Sequence, residues 1–500
     1  MFFDAGRFMR ACSSVLQRRS RGAVVCSLLV LVLGGTLGSI LGSSRAAAET
    51  LQEALANAYL INPILNAERA RLRATDEQVA IAKSGLRPTI GATADTSYVN
   101  QNSQRATSRT TSGTDDIAVG FAGITTDGVT HPRGYAFQFS QPLFEGFQNL
   151  NAIRQAKSVV QAARESLRNV EQTILVDAVT AYVNVVRDQA VVRLRENDVE
   201  VLGEQLKATR DRFDVGEVTR TDVAQAEARQ SEAQATLAAA QANLKTSRAA
   251  YQQVIGHPPE NLITPQSIIH LLPGNIDEAM TLGDGEHPLI LAAVYEEEAS
   301  LFVVQQIMGE LLPNASLDAQ YERRFDQSQS LAELEDTTVT ARVNVPFYQG
   351  GGVAARVRQA KETNNQRKKD IEDARLRVHA EVISQWGILQ SSGPAIRSAE
   401  AAVEANRIAL AGVREEEKVG QRTTLDVLDA QRELLNAQII LVTALRDRVV
   451  AEYSLYAAVG RMDAQTLGLS VPYYDPIEHY DIVKNKWMGL RPPTPPAPDE

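Results

Sequence analysis

Two kinds of hydrophobic pattern alternate along this chain. Short segments carry an apolar side chain at every second position, as at Tyr135, Phe137 and Phe139, and the residues between them are small or polar. Successive side chains of a β-strand point to opposite faces, so this period predicts strands with one apolar and one polar face. Strands are expected at about 86–100, 133–144, 313–325 and 336–348.

Long stretches without glycine or proline lie between these segments. The longest runs from Phe147 to Leu202, which corresponds to about 84 Å of α-helix at 1.5 Å per residue. On both sides of Gly216 and Gly420 the apolar residues recur at alternating spacings of three and four. This period is typical of supercoiled helices, so an antiparallel coiled-coil hairpin is expected around each glycine.

The chain contains two copies of one unit. Residues 141–256 match residues 345–460 at an offset of 204, and the upstream parts match at an offset of 225. The 21 additional residues of the first copy fall in a Ser/Thr/Gly/Asn-rich stretch at about 100–133, which predicts a long exposed loop. In the second copy, Gly387 and Gly393-Pro394 interrupt a helical pattern that is continuous in the first.

These patterns divide the chain into an export signal, two repeats and a tail. Each repeat is expected to contain a helix, opening near Asn62-Pro63 or His287-Pro288, then two strands and two long helices. The predicted segments are a signal peptide at 1–48, the first repeat at 49–262 with long helices over 147–255, the second repeat at 263–470 with long helices over 353–459, and a tail at 471–500 whose Pro-rich end is disordered.

The first 48 residues have the character of a secretory signal. Basic residues precede an apolar run from Ala23 to Leu41, and Ala46-Ala47-Ala48 follows as a small-residue cleavage site. The alternative is a membrane anchor, although the run is barely long enough to span a bilayer. Cys12 and Cys26 both lie in this segment, so cleavage leaves a mature protein without disulfides or thiolates.

Composition and charge exclude several functions. Aromatic residues make up only 5% of the chain, which favours long helices over several compact domains. The formal charge of −10 argues against a nucleic-acid partner. The sequence holds no GxxxxGK[ST], HExxH, EF-hand or GxSxG motif, and its six histidines do not cluster. We therefore expect no enzymatic activity, no cofactor and no metal site.

The alternating segments suit the wall of a membrane β-barrel, which uses strands of about ten residues with one apolar face. The competing interpretation is a soluble hairpin that packs one face on a core. Four strands cannot close a barrel, and an open edge in lipid leaves backbone groups unsatisfied. If the strands span a membrane, the chain must therefore oligomerise; three copies give twelve strands, and two give eight.

The order of these elements resembles the TolC family of outer-membrane channel proteins. The resemblance rests on the junctions Gln141-Pro142-Leu143-Phe144-Glu145-Gly146 and Val345-Pro346-Phe347-Tyr348-Gln349-Gly350-Gly351, and on the hairpin tips at 215–223 and 419–427. It covers roughly 50–470. It implies an α+β membrane protein: a homotrimer with a 12-stranded outer-membrane β-barrel, four strands per chain, continued by a long α-helical coiled-coil tunnel through the periplasm.

The resemblance also implies a function and partners. The protein would be the channel-tunnel component of a tripartite efflux pump or a type I secretion system in the outer membrane of a Gram-negative bacterium. It would be a passive exit duct for drugs or proteins, driven by an inner-membrane transporter and reached through a periplasmic adaptor (membrane fusion protein). The alternative is a soluble periplasmic coiled-coil protein with a structural or adaptor role.

The resemblance further assigns a periplasmic gate to the hairpin tips. Its polar network would contain Thr221 and Asp222 on the first hairpin and Arg422 on the second. Where the family has a tyrosine three residues before the glycine, this chain has Glu417. Glu417 could pair with Arg422 but would repel Asp222, so closure is expected to depend on pH and salt more than is usual.

Two further sets of residues are assigned at the tips. Asp426 and Asp429, three residues apart on one helix face, would form an acidic entrance ring of six carboxylates per trimer that favours cations. The alternative is helix capping for Asp426 and Asp222, each of which follows a threonine by three residues, and a solvated helix face for Asp429. Contact with the adaptor is assigned to Val215, Gly216, Glu217, Val419, Gly420 and Gln421, where the glycines would also end a helix.

Overall fold

The computed structural model describes residues 49–493, except 110–119 and 329–330. The predicted signal peptide at 1–48 and the Pro-rich end at 494–500 lie outside the described residues. The helices are α1 (Leu51–Ile61), α2 (Pro63–Ser84), α3 (Gln148–Asp214), α4 (Arg220–Ile255), α5 (Ile276–Glu286), α6 (Pro288–Gly309), α7 (Gly352–Lys418), α8 (Thr424–Ala458) and α9 (Glu478–Val483). The strands are β1 (Thr89–Thr96), β2 (Val99–Arg109), β3 (Gly120–Thr130), β4 (Arg133–Glu145), β5 (Asn314–Ser328) and β6 (Leu331–Asn344).

The two halves of the chain have matching elements. Helices α3 and α7 each contain 67 residues and begin 204 positions apart. Helices α2 and α6 both begin at a proline, and the side chains of Asn62 and His287 cap them by accepting from the backbone N–H two residues further on. Proline is favoured at this position because a first-turn N–H has no partner within the helix.

The strands β1, β4, β5 and β6 form an antiparallel sheet in the order β1-β4-β5-β6. The register aligns apolar positions, since Phe137 lies opposite Ala92 of β1 and Tyr321 of β5. On the other face, the hydroxyl of Ser140 donates to a carboxylate oxygen of Asp318 at 2.7 Å. The sheet therefore has one apolar and one polar face, and β1 and β6 are its two edges.

The prediction of a long exposed loop at about 100–133 is wrong. Strands β2 and β3 occupy most of this stretch and pair with each other over Val99–Arg109 and Gly120–Thr130. Their register continues that of β1 and β4, because Thr96 lies opposite Arg133 and Val99 lies opposite Thr130. The composition suggested a loop, but the preceding strand pair fixes the register and extends the hairpin.

The interruption expected at Gly387 and Gly393-Pro394 is also absent, since α7 continues through all three residues. Proline inside a helix removes one hydrogen bond and costs about 3 kcal/mol. Two serine hydroxyls bond to carbonyls just before it: Ser391 donates to Ile388 and Ser392 to Leu389. Long helical segments on both sides of Pro394 explain why the local preference does not end the helix.

The junction between β4 and α3 passes very close to the end of α6, and this close approach explains why two positions are glycine. Gly146 has a positive φ of 59°, a conformation that residues with a Cβ rarely adopt. A Cβ on Gly146 would collide with the carbonyl of Gly309, and a Cβ on Gly309 would collide with the carbonyl of Gly146. Both positions therefore require glycine.

The main hydrophobic core lies where α1, α3, α4 and α8 meet the connecting segments around 262–272 and 462–471. One buried carboxylate in this core has several hydrogen-bond partners. The fully buried carboxylate of Glu452 accepts from the hydroxyl of Ser267 at 2.8 Å and from the backbone N–H of Ile268 at 3.0 Å, and Arg448 donates to it at 3.0 Å. This core fixes the helices at mid-length, far from both the sheet and the hairpin tips. Within the described residues, the helices contain no stretch that is long and apolar enough to cross a membrane.

Candidate functional site

The two hairpin tips connect α3 to α4 and α7 to α8. Gly216 and Gly420, with φ of 83° and 76°, supply the left-handed conformation that reverses the chain after each long helix. All six residues that the sequence assigned to adaptor contact are exposed at these turns. The tips therefore present two similar polar loops with an exposed valine, Val215 or Val419, beside each glycine.

Asp222 and Asp426 each close a capping box at the start of the returning helix. The carboxylate of Asp222 accepts from the backbone N–H of Thr219 at 2.8 Å, and that of Asp426 accepts from Thr423 at 2.9 Å. The two threonine hydroxyls accept from the aspartate N–H groups in return. The hydrogen bonds from Thr423 lower the pKa of Asp426, because they favour its charged form. Thr221 lies exposed on the first turn of α4.

The sequence suggested a pair between Glu417 and Arg422, but the structure does not contain it. The carboxylate of Glu417 accepts a hydrogen bond at 2.7 Å from Arg212, at the end of α3 in the other hairpin. Arg422 instead pairs with Glu416 at 2.9 Å, and this hydrogen bond raises the pKa of the guanidinium. Adjacent helical residues point about 100° apart. Glu416 therefore points to its own turn, while Glu417 points to α3 and links the two hairpins.

A second ion pair links the hairpins at the predicted entrance ring. Arg229 of α4 donates to Asp429 of α8 at 2.8 Å, and Arg432 approaches the same carboxylate at 3.6 Å. An apolar contact among Leu202, Ala233 and Leu428 lies beside this pair. The Asp429 side chain is 44% exposed, but arginine compensates its charge where the two hairpins meet.

Sequence reasoning missed Arg212 and Arg229. Each lies about 200 positions from its acidic partner, and neither forms part of a local motif. The coiled-coil pattern around the tips could have identified helix faces that meet a neighbour, but it did not indicate which helix supplies that neighbour.

Four of the helices enclose a concave surface. Helices α2, α3, α6 and α7 surround a cavity of about 720 Å³ lined mainly by polar and small side chains. Within the described residues 49–109, 120–328 and 331–493, the structure has no group of three or more His, Cys, Asp or Glu residues that could hold a metal ion.

Comparisons with known proteins identify what this arrangement is similar to. The sequence profile described as "Outer membrane efflux protein" matches residues 50–257 and 285–461, which include both hairpins and the sheet. This chain belongs to the outer membrane efflux protein family. The two matched stretches correspond to the two halves of the chain, so the family relationship covers the strands and the long helices of both repeats.

Individual relatives agree with the family. The outer membrane efflux protein BepC of Brucella suis is 40% identical, over 94% of this chain and 98% of its own length. The outer membrane protein TolC of Escherichia coli is 24% identical over 88% of this chain and 87% of its own length. The solved structure of the Campylobacter jejuni CmeC outer membrane channel superposes with a TM-score of 0.71 at 15% identity, covering 87% of this chain and 89% of that one.

The family establishes location and general function. The chain is an outer-membrane channel component of an efflux or type I secretion system in a Gram-negative bacterium, and it works with a pump of one of these kinds. The alternative of a soluble periplasmic coiled-coil protein is not favoured. The named family members are channel and transport proteins.

Proposed function

We propose that three copies of this chain form one duct: a 12-stranded barrel in the outer membrane, continued by a helical tunnel that reaches across the periplasm to an adaptor and an inner-membrane transporter. The observation that carries the proposal is the sheet β1-β4-β5-β6, whose edge strands β1 and β6 each have a partner on one side. An open edge in lipid leaves backbone groups unsatisfied. Pairing β6 of each chain with β1 of the next removes every open edge.

The repeat supports a specific register for this pairing. Offsets of 225 and 204 map the pair Thr89 and Ser140 onto Asn314 and Asn344, which are indeed partners in β5 and β6. The same mapping, applied to the β4–β5 pairs Phe139–Ala319 and Gln138–Gln320, gives the contacts between chains. Val343 then lies opposite Ala94 on the apolar face, and Arg342 lies opposite Asp95 on the polar face. The opposite charges of the second pair favour this register.

The helices support the same assembly. Val179 of α3 is fully buried, whereas its repeat partner in α7, Ile383, is 51% exposed. Helix α3 packs against α6 and α8 of its own chain. The equivalent neighbours of α7 are α2 and α4, and these are supplied by the next chain around the threefold axis. Burying the exposed apolar face of α7 then contributes roughly 25 cal/mol per Å².

The tunnel follows from helix length. A helix of 67 residues spans about 100 Å, and α3 and α7 extend from the sheet to the hairpin tips. With the strands in the membrane, the tips lie at the periplasmic end. The exposed turns around Gly216 and Gly420 are then the contact surface for the hairpins of an adaptor.

The tips form the gate of the duct. Thr221, Asp222, Glu417 and Arg422 lie at the end of the helices, as the resemblance implies, but their links within the chain differ from the expected network. In this protein the pair between Arg212 and Glu417 ties the first hairpin to the second. Because the pair bridges two helices that must separate for a wide opening, it favours the closed arrangement.

The entrance ring has a mixed charge. Asp426 and Asp429 supply six carboxylates per trimer, while three copies of Arg229 lie beside the Asp429 carboxylates. We expect weaker cation selectivity than free carboxylates would give, because the arginines reduce the local negative potential.

Planar-bilayer recordings test the proposed duct. Detergent-extracted mature protein is expected to give discrete conductance steps. An absence of steps, from a protein that also remains soluble without detergent, would contradict the duct. Steps without any preference for cations would retain the duct and contradict the role of Asp426 and Asp429.

A further inference from the structure

The segment that follows the second repeat runs along α2 towards the sheet. Near its start, the backbone N–H of Tyr474 donates to the hydroxyl of Tyr59 at 2.9 Å. Further along, His479 on α9 lies 3.0 Å from the buried carboxylate of Asp76. The contacts thus advance from Tyr59 on α1 to Asp76 on α2, and Lys83 of α2 then donates to Asn485, so the segment runs along α2 towards β1.

The segment reaches the residues that come directly before β1. The guanidinium of Arg87 donates to the carbonyl of Lys486 at 2.8 Å and lies 4.6 Å from the ring centre of Trp487. Arg87 is two residues from the start of β1, and Ile90 is an exposed apolar residue of that strand. Three residues of a strand span about 10 Å, so Trp487 lies close to the level at which the apolar band of the sheet begins.

The segment and the concave cavity lie on different sides of α2. The residues of α2 that line the concave cavity include Glu68, Thr75 and Gln78. The residues of α2 that contact the segment include Asp76 and Lys83, which point to a different side of the helix. With the concave face enclosing the proposed tunnel, the segment lies outside it, where the surroundings are periplasm and membrane.

The end of this segment exposes apolar side chains to an unusual degree. Trp487 is 68% exposed, Met488 is 86% exposed and Leu490 is 103% exposed. The stack on Arg87 covers only part of the indole. Three large apolar groups within four residues, at the end of an otherwise anchored segment, form a patch that suits an apolar or interfacial environment.

Positive charge surrounds the same patch. The cluster contains Lys83, Arg87, Lys157, Lys484 and Lys486, of which Lys484 also pairs with Asp481 at 2.7 Å. Partial burial and the neighbouring charges of Lys157, Lys484 and Arg87 lower the pKa of Lys83. A group of mutually repelling cations attracts anionic partners.

We propose that residues 484–491 form an interfacial anchor that inserts Trp487, Met488 and Leu490 into the leaflet facing the periplasm and binds its anionic phospholipid headgroups through the surrounding lysines and arginines. Tryptophan is enriched at this depth because its ring is apolar while its N–H can reach water. Basic residues near an anionic surface add about 1 kcal/mol each. The inference rests on the proposed placement of the sheet in the membrane, and it assigns the patch to lipid rather than to an adaptor or a neighbouring chain.

Tryptophan fluorescence tests this anchor, because Trp386 and Trp487 are the two tryptophans of the sequence. The full mature chain with Trp386→Phe keeps only Trp487, and the chain with Trp487→Phe keeps only Trp386 on α7 as a matched control. Both are placed in neutral nanodiscs of phosphatidylethanolamine and in nanodiscs that also contain phosphatidylglycerol. In each case the lipids are brominated either near the headgroup or near the chain end. Conductance of the same preparations in planar bilayers establishes insertion independently.

The anchor predicts that Trp487 emits at shorter wavelength in nanodiscs containing phosphatidylglycerol than in neutral ones, and that shallow bromines quench it more than deep bromines. Trp386 should respond to neither. Changing Lys484 and Lys486 to glutamine should reduce the dependence on phosphatidylglycerol. If a conducting protein shows no bromolipid quenching of Trp487, the anchor is wrong while the duct stands. Protection of Trp487 from acrylamide without bromolipid quenching would indicate a protein partner and would also overturn the anchor. A protein that does not conduct contradicts the duct itself.

Discussion

The ion pair between Arg212 and Glu417 gives the sharpest prediction about opening. Separating the two hairpins of one chain breaks this pair, so Glu417→Gln should favour the open arrangement. The carboxylate is only 11% exposed and the guanidinium is 41% exposed, with 2.7 Å between their nearest atoms. The change keeps the size and one hydrogen-bonding oxygen of the side chain and removes its charge.

The magnitude follows from partial burial. Two unit charges at about 4 Å attract by about 4 kcal/mol at an effective dielectric constant of about 20. Desolvation and side-chain ordering offset most of this, and pairs that are partly exposed retain about 1 kcal/mol. If three pairs break together in the proposed trimer, opening becomes about 3 kcal/mol easier in the variant, which is about 100-fold in the equilibrium between closed and open tips.

Single-channel recording measures this directly as the fraction of time spent in high-conductance states. The matched control is Glu416→Gln, which removes the neighbouring charge but breaks a pair with Arg422 inside one hairpin. The control should change the open fraction much less than Glu417→Gln does, and high salt should reduce the difference between wild type and Glu417→Gln. An open fraction that is equal in both variants would refute the idea that the Arg212 pair holds the hairpins together.

Three further predictions concern charge and buried polar groups. Arg229→Gln should increase cation selectivity in reversal-potential measurements because it uncovers Asp429, and Asp429→Asn should decrease it; shifts in the same direction would contradict the mixed-charge ring. Asp426 caps α8 and has a lowered pKa. Its contribution to the stability of the tip should therefore be complete above about pH 4, the pKa of an unfolded aspartate, and lost as the pH falls through the folded value. Hydrogen exchange at the second tip should report that loss, and a pH-independent tip would contradict it. Glu452→Ala should lower the free energy of unfolding by about 2–3 kcal/mol because it leaves the N–H of Ile268 buried without its acceptor, as measured by thermal melting; an unchanged melting temperature would contradict this role.

The long helices and the outer strands could be predicted because their signals are local and repeated. Positions such as Phe137 and Phe139 alternate with polar neighbours, and the start of α2 at Pro63 follows from a single dipeptide. The strands β2 and β3 could not be predicted in this way. Their small and polar residues resemble a loop, and only the register inherited from β1 and β4 makes them a hairpin.

The candidate site was less accessible to sequence reasoning. The capping roles of Asp222 and Asp426 were visible as alternatives, because a cap depends on a threonine three residues away. The partner of Glu417 was not visible, since Arg212 lies 205 residues away in the sequence and is brought to it by the packing of the two hairpins. Pro394 shows the same limit, because a helix of 67 residues overrides one unfavourable position.

Disulfide cross-linking between neighbouring chains tests the central claim, the closed trimeric barrel, most directly. The register between β6 and β1 predicts that Val343→Cys and Ala94→Cys, combined in one chain, lie within the Cα separation of about 4.4–6.8 Å that a disulfide needs. The matched control combines Val343→Cys with Ile90→Cys on the same face, about 13 Å out of register. Mild oxidation should convert the first variant, but not the control or either single-cysteine variant, into a covalent trimer on a denaturing gel. A ladder that ends at a dimer, equal cross-linking of the control, or no cross-linking in a conducting preparation would contradict the account.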